Sequence, residues 1–102
     1  MGAIIAQTVH STASFAIQYP DKFRHWEQTS NYVACLAAKD EQELLKYYDR
    51  LIKAGADVVL FREPDMDNQA TSLCFYGTPE FRKITSSLPL MFKQKKEVAM
   101  AA

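Results

Sequence analysis

Residues 40–62 read DEQELLKYYDRLIKAGADVVLFR, and this stretch decides the class of fold. Asp40 stands where a helix N-cap accepts backbone N–H groups. Glu43 follows three residues later, a capping-box pattern with Asp in place of Ser or Thr. Leu44, Tyr48, Leu51 and Ile52 then recur at helical spacing as an inward stripe, and Gly55 supplies the left-handed stop. Asp49 and Lys53 stand one turn apart as an ion pair worth only ~0.3 kcal/mol. Directly afterwards comes DVVLFR, Asp57 to Arg62, short, apolar and β-branched, which reads as a buried strand. A capped helix followed at once by a buried strand indicates an α/β chain.

Downstream, Glu63 to Asn68 form a polar loop, and Ala70 to Tyr76 (ATSLCFY) read as another strand, broken by Gly77. Thr78 as N-cap with Pro79 at the first helical position starts a helix running to about Thr85. Leu88-Pro89-Leu90 fits a short edge strand, where a proline is tolerated. Upstream, Tyr32 to Ala38 (YVACLAA) reads as a buried strand. Pro20 to Gln28 reads as a short helix, with Phe23 and Trp26 as core anchors and His25 at the surface. Residues 3–18 form a first helix that Tyr19-Pro20 stops. The order α, α, β, α, β, β, α predicts a three-layer α/β/α sandwich with a small mixed sheet. One domain spans residues 1–92, and 93–102 form a frayed tail.

The composition narrows the function classes. The 102 residues are 48% hydrophobic and 24% charged, ordinary globular proportions. Twelve basic and twelve acidic side chains cancel, so no global field advertises a nucleic-acid partner. Cys35 and Cys74 match no metal or redox spacing and read as buried thiols in a reducing compartment. No apolar run approaches the ~20 residues of a membrane span, and residues 1–6 lack a basic signal-like region. Met1-Gly2 begins an acylation motif, but Ala6 stands where that motif needs Ser or Thr. These features predict a cytoplasmic protein with no membrane partner, no cofactor and no metal.

Residues 2–15, GAIIAQTVHSTASF, raise a different question. On a helical wheel at ~100° per residue, Ile5, Ala6, Val9, Ala13 and Ala16 form an apolar back. Gln7, His10, Ser11, Ser14 and Gln18 form an opposite front that is polar yet carries no charge. A merely solvated face usually carries Lys and Glu, so this front reads as the wall of a site. The plainer reading is a surface histidine on an ordinary helix, more common where nothing faces it.

The run Gly2-Ala3-Ile4-Ile5-Ala6-Gln7, with His10 three residues on, resembles the first-helix motif of the second type of peptidyl-tRNA hydrolase, found in archaea and eukaryotes. The passage KDEQELLKYYDRLIKAGADVVLFRE is similar to that family's helix-then-strand segment, and KITSSLPL to its closing segment. Together these cover residues 2 to about 92. Ala3 replaces the family's usual lysine, and the loop EPDMDNQAT is closer to a divergent subgroup, the peptidyl-tRNA hydrolase domain-containing proteins. There, Asp67, Asn68, Ala70 and Thr71 fit an acid-Asn-x-Ala-Thr pattern.

The resemblance implies metal-independent hydrolysis of the ester that joins a peptide to the 3′ ribose of tRNA. Histidine titrates near neutral pH, so His10 can activate or orient water. Glu63, Asp65 and Asp67 of the 63–71 loop are acids able to act as base or to orient His10; we pair His10 with Asp65, with Asn68 and Thr71 as donors to the oxyanion or the terminal adenosine. Gln7, Glu63, Asp67, Gln69 and Arg62 would hold substrate. Plainer readings compete. Turns favour Asp, Asn and Pro for backbone reasons, Arg62 suits an ion pair, and Lys93, Lys95 and Lys96 suit a solvated tail as well as phosphate contacts. The family also places a strand before the Gly, which this chain lacks. That departure, with Ala3 and the altered loop, supports two alternatives: a catalytically inactive tRNA- or nucleotide-binding module of the same fold, or an incomplete domain completed by a partner chain, including a homodimer.

Overall fold

The central helix and the hairpin after it organise the molecule. The computed structural model describes the backbone of residues 2–91 and the side chains of residues 6–91. The side chains of Ala3 and Ile5, and the expected tail over 93–102 with its lysines, lie outside the described residues. The elements are α1 (Gly2–Gln18), α2 (Pro20–Gln28), α3 (Glu41–Lys53), β1 (Val58–Glu63), β2 (Gln69–Phe75) and α4 (Pro79–Ile84), with a 3₁₀ turn at Pro64–Met66.

Helix α3 begins and ends as its sequence dictates. The Glu43 amide donates to Asp40 Oδ1 at 2.8 Å, and Glu43 Oε1 in turn accepts the Lys39 amide at 2.9 Å. Two otherwise orphaned donors are thereby satisfied at the N-terminus. At the other end Gly55 has φ +87, the Ala56 amide donates to the Leu51 carbonyl at 3.0 Å, and the Gly55 amide to Ile52 at 3.0 Å. This pair of bonds is a Schellman motif, and its hydrophobic contact is Ala56 with Leu51. The inward stripe is rotated from the expected one. Tyr47 and Leu51 are buried, whereas Ile52 is 46% exposed.

Strands β1 and β2 pair antiparallel, Val58 opposite Phe75 through Glu63 opposite Gln69. Side chains alternate across such a ribbon. Val58, Leu73 and Phe75 pack with Leu51, Ala56, Phe81 and Ile84 on the α3–α4 side. Phe61, Ser72 and Cys74 face α1: Phe61 stacks on His10, Ser72 bonds to Gln7, and the Cys74 thiol meets Thr12. The chain is therefore α/β, with helices on both faces of a hairpin.

Several expectations change. Tyr32–Ala38 makes no ladder. It joins residues 89–91 through a single antiparallel bridge, Leu36 to Leu90, with Ala37 N–H on the Pro89 carbonyl at 2.9 Å and Met91 N–H on the Cys35 carbonyl at 2.8 Å. Among the described residues, the sheet thus has two strands rather than a larger mixed set. Helix α1 packs through the face expected to be its front: Ser11 and Phe15 are buried at 1% and 3%, while Val9 is 59% exposed and Ile17 82%. Phe23 and Trp26 are half-buried, their rings 5.3 Å apart, with Trp26 Nε1–H donating to the Tyr32 carbonyl at 2.8 Å. Helix α4 starts at Pro79 as expected, but the Thr78 side chain makes no capping bond.

Candidate active site

Gln7 is the centre of a polar network between α1 and the hairpin. Its Nε2–H donates to Glu63 Oε2 at 3.0 Å, its Oε1 accepts Thr71 Oγ1–H at 3.0 Å, and its backbone carbonyl accepts Ser72 Oγ–H at 2.6 Å. Two consecutive residues of a regular strand point to opposite faces, so Thr71 and Ser72 should not both reach α1. A bulge makes this possible. Phe61 opposes Ser72 while Arg62 opposes Ala70, which leaves Thr71 as the extra residue. Bulges re-aim side chains in this way.

His10, one turn after Gln7, lies over the same face. Its ring stacks on Phe61 with centroids 4.7 Å apart and planes 12° from parallel. The imidazole is exposed and acts electrostatically on Glu63. Glu63 closes the group. The hydrogen bond from Gln7 and the Asp65 amide on its carboxylate hold its pKa below the ordinary 4.5, helped by the charge of His10 and opposed by desolvation. The result is an ionised carboxylate beside an imidazole, with a carboxamide and a hydroxyl completing the wall.

The loop residues divide. Thr71 and Glu63 join Gln7 directly, and His10 interacts electrostatically with the Glu63 carboxylate. Asp65 sits in the 3₁₀ turn and contributes its backbone N–H to Glu63 Oε1 at 3.3 Å. Asp67 and Asn68 occupy the left-handed region at φ 53 and 59, which Asp and Asn tolerate better than most residues. The Asn68 amide returns to the Glu63 carbonyl at 3.0 Å, and the Arg62 guanidinium donates to the Asn68 carbonyl at 3.1 Å. Arg62 is therefore a clamp on the turn. Gln69 is exposed, and the amide after it, Ala70 N–H, is held by Glu41 Oε2 at 2.7 Å.

Sequence reasoning favoured Asp65 over Glu63 and Asp67 as the partner of His10 and gave Ser72 no part. The signal that separates Glu63 from Asp65 is position: a strand's last residue shares a face with alternate strand residues, whereas a turn residue does not. The bulge that aims Thr71 leaves no local mark in ATSLCFY. Among the described residues, no group of three or more His, Cys, Asp or Glu side chains converges as metal ligands would, and no helix is long and apolar enough to cross a membrane. A scan against models of known protein families finds no match, and the curated proteins contain no sequence that matches this chain.

Proposed function

We propose that the chain is a metal-independent ester hydrolase acting on the aminoacyl ester of peptidyl-tRNA, with His10 and Glu63 at the reacting centre. The observation that carries this reading is the convergence of His10, Gln7, Glu63 and Thr71 on one face of the hairpin. Gln7 and His10 are the two polar residues of the first-helix resemblance, and Glu63 takes the place expected of Asp65. In the reaction, His10 accepts a proton from water as its oxygen bonds to the ester carbonyl carbon. Glu63, already ionised, stabilises the resulting imidazolium. Collapse of the tetrahedral intermediate breaks the bond to the ribose oxygen, which takes its proton from His10. Asn68 and Gln69, on the exposed turn, offer amide groups to the terminal adenosine, and Asp65 and Asp67 flank them. Cytoplasmic residence accompanies this reading.

Purified protein incubated with N-blocked aminoacyl-tRNA tests it. The wild type releases the blocked amino acid, and His10→Ala lowers the rate by ~10²–10⁴, the usual contribution of a general base. Undiminished turnover in His10→Ala removes His10 from the mechanism.

One observation favours a second reading, a tRNA-binding module without catalysis. The Gln7 carboxamide already has both ends bonded within the chain, and the Thr71 hydroxyl is donated to it, so neither meets substrate without exchange. That reading predicts tRNA binding that weakens steeply with salt and no ester cleavage.

A further inference from the structure

Charge is unevenly placed in a chain whose formal total is zero. Residues 46–53 and 79–84, the second half of α3 and the whole of α4, carry five of the twelve Lys and Arg side chains but only two of the twelve Asp and Glu. The two helices are close: the Tyr47 hydroxyl shares a hydrogen bond at 3.1 Å with that of Ser87, just beyond α4. Charges that lie within a screening length of ~8–10 Å add to one field.

Lys46, Arg50 and Lys53 recur at i, i+4 and i+7 and so form one stripe along α3. Lys46 Nζ lies 5.8 Å and the Arg50 guanidinium carbon 5.4 Å from the centre of the Tyr47 ring, a π face that attracts cations. Tyr47 itself is buried, which gives both cations a fixed seat. Like charges one turn apart disfavour a helix, and no carboxylate of α3 relieves them. Asp49 pairs with Lys53 at 2.8 Å, Glu43 holds the Lys39 amide, and Glu41 holds the Ala70 amide. Among the described residues, neither Lys46 nor Arg50 has an ion-pair partner. The helix dipole accounts for Arg50 and Lys53 in the last turn. It does not account for Lys46, two turns from the end.

We infer that this stripe binds the phosphate backbone of RNA. The identity of that RNA, the tRNA whose 3′ end reaches His10, rests on the hydrolase reading. Seven residues of helix cover ~10.5 Å at 1.5 Å per residue. Phosphates of one duplex strand recur every ~3.4 Å along the axis, so the stripe meets about three of them. The planar fork of Arg50 suits phosphate oxygens. A protein partner usually seats an apolar centre, whereas nucleic-acid surfaces are polar and positive. Here α3 exposes Ile52 as its single large aliphatic side chain. The stripe belongs to the α3–α4 side of the hairpin and the Gln7–Glu63 network to the other. The molecule measures 24 Å along its shortest axis, a distance that an RNA strand covers in about seven nucleotides at that rise. One tRNA can therefore touch both.

Deacylated tRNA is the probe, because it holds no ester and reports binding apart from hydrolysis. The full chain is titrated by fluorescence anisotropy between about 50 and 200 mM salt. Lys46→Gln/Arg50→Gln removes two phosphate contacts, both at exposed positions. It is expected to weaken binding several-fold and to flatten the slope of log Kd against log salt by about 1.4–1.8. Arg24→Gln/Lys39→Gln removes the same charge from other exposed positions and is expected to leave the slope nearly unchanged. Equal flattening by this control pair overturns the inference, as does an unchanged slope in the α3 variant or no binding of tRNA. Tighter binding of polyglutamate or of phosphatidylserine vesicles than of tRNA also overturns it, in favour of an acidic protein or a membrane surface. A slope lost only in the α3 variant, with no ester cleavage by the wild type, upholds the inference and refutes the hydrolase reading. Cleavage with an unchanged slope does the reverse.

Discussion

Leu51 and Ile52 are neighbours of the same size in α3, and truncating each to alanine tests which way the helix faces. A reading from hydrophobic spacing alone puts both on the inward stripe and predicts similar costs. The structure separates them by the ~100° between adjacent helical residues. Leu51 is fully buried against Ala56, Val58, Leu73, Phe75, Phe81 and Ile84, whereas Ile52 is 46% exposed. Truncating a buried leucine costs about 2–5 kcal/mol, the transfer term plus that of the cavity left behind. A value of about 3 kcal/mol suits Leu51, because half-buried neighbours can relax into the gap. Ile52 retains much of its solvent contact when folded, so its transfer loss is near 1 kcal/mol. About 0.4 kcal/mol of that is offset by the better helix propensity of alanine. The expected gap is therefore about 2 kcal/mol, a large share of the 5–15 kcal/mol typical of such domains. Urea unfolding followed by far-ultraviolet circular dichroism and Trp26 fluorescence measures it. With a slope near ~1.5 kcal/mol/M, the Leu51→Ala midpoint falls by ~2 M and that of Ile52→Ala by less than ~0.5 M. Equal costs, or a larger cost at Ile52, refute the packing of α3 on the hairpin and the placement of the site that depends on it.

Gln7→Leu removes the hydrogen bond that does most to hold the Glu63 carboxyl below 4.5, so its titration, followed by side-chain carbon NMR, is expected to move upward toward that value. The sign follows from linkage: a depressed carboxyl contributes stability above its ordinary range that is lost as pH falls through its folded value. Wild type should therefore lose stability through that acid window more steeply than Gln7→Leu, and an unchanged Glu63 titration contradicts the network. Asn68 holds φ 59, so Asn68→Ala is expected to cost about 1 kcal/mol in chemical denaturation and Asn68→Gly to be near neutral. Asp40→Ala removes the side-chain acceptor of the Glu43 amide and is expected to cost about 1 kcal/mol, with loss of hydrogen-exchange protection confined to the first turn of α3.

What was legible in the sequence was local. Asp40, Glu43 and Gly55 mark the ends of α3 because capping is satisfied within a few residues, and the bonds are present as patterned. The same holds for Tyr19-Pro20 between α1 and α2 and for Pro79 at the start of α4. Helix phase was not legible where polar residues carry the packing. α1 buries Ser11 because its hydroxyl donates to the Thr8 carbonyl at 3.1 Å within the helix, leaving no unpaired group. It half-buries Gln7 because Glu63, Thr71 and Ser72 face it with complementary groups. An apolar-inward rule rotates such a helix by half a turn, because it ranks residues by hydrophobicity when the opposing surface asks for hydrogen bonds. The front singled out as a site wall is the face that meets the hairpin, with His10 and Gln18 left exposed.

The segment 32–38 shows the converse limit. YVACLAA has the composition of a buried strand, and its backbone is extended enough to bridge to Leu90. Strand formation, however, needs ladder partners on the edges as well as a favourable composition. One edge finds residues 89–91, and the other opens onto a cavity beside β2. The exposure of Tyr32 and Val33 follows from that open edge, not from any polarity of the run. Local pattern thus identified which residues are fit to form a sheet. It could not say whether a neighbour stands beside them, because the bonds that decide this join segments far apart in sequence.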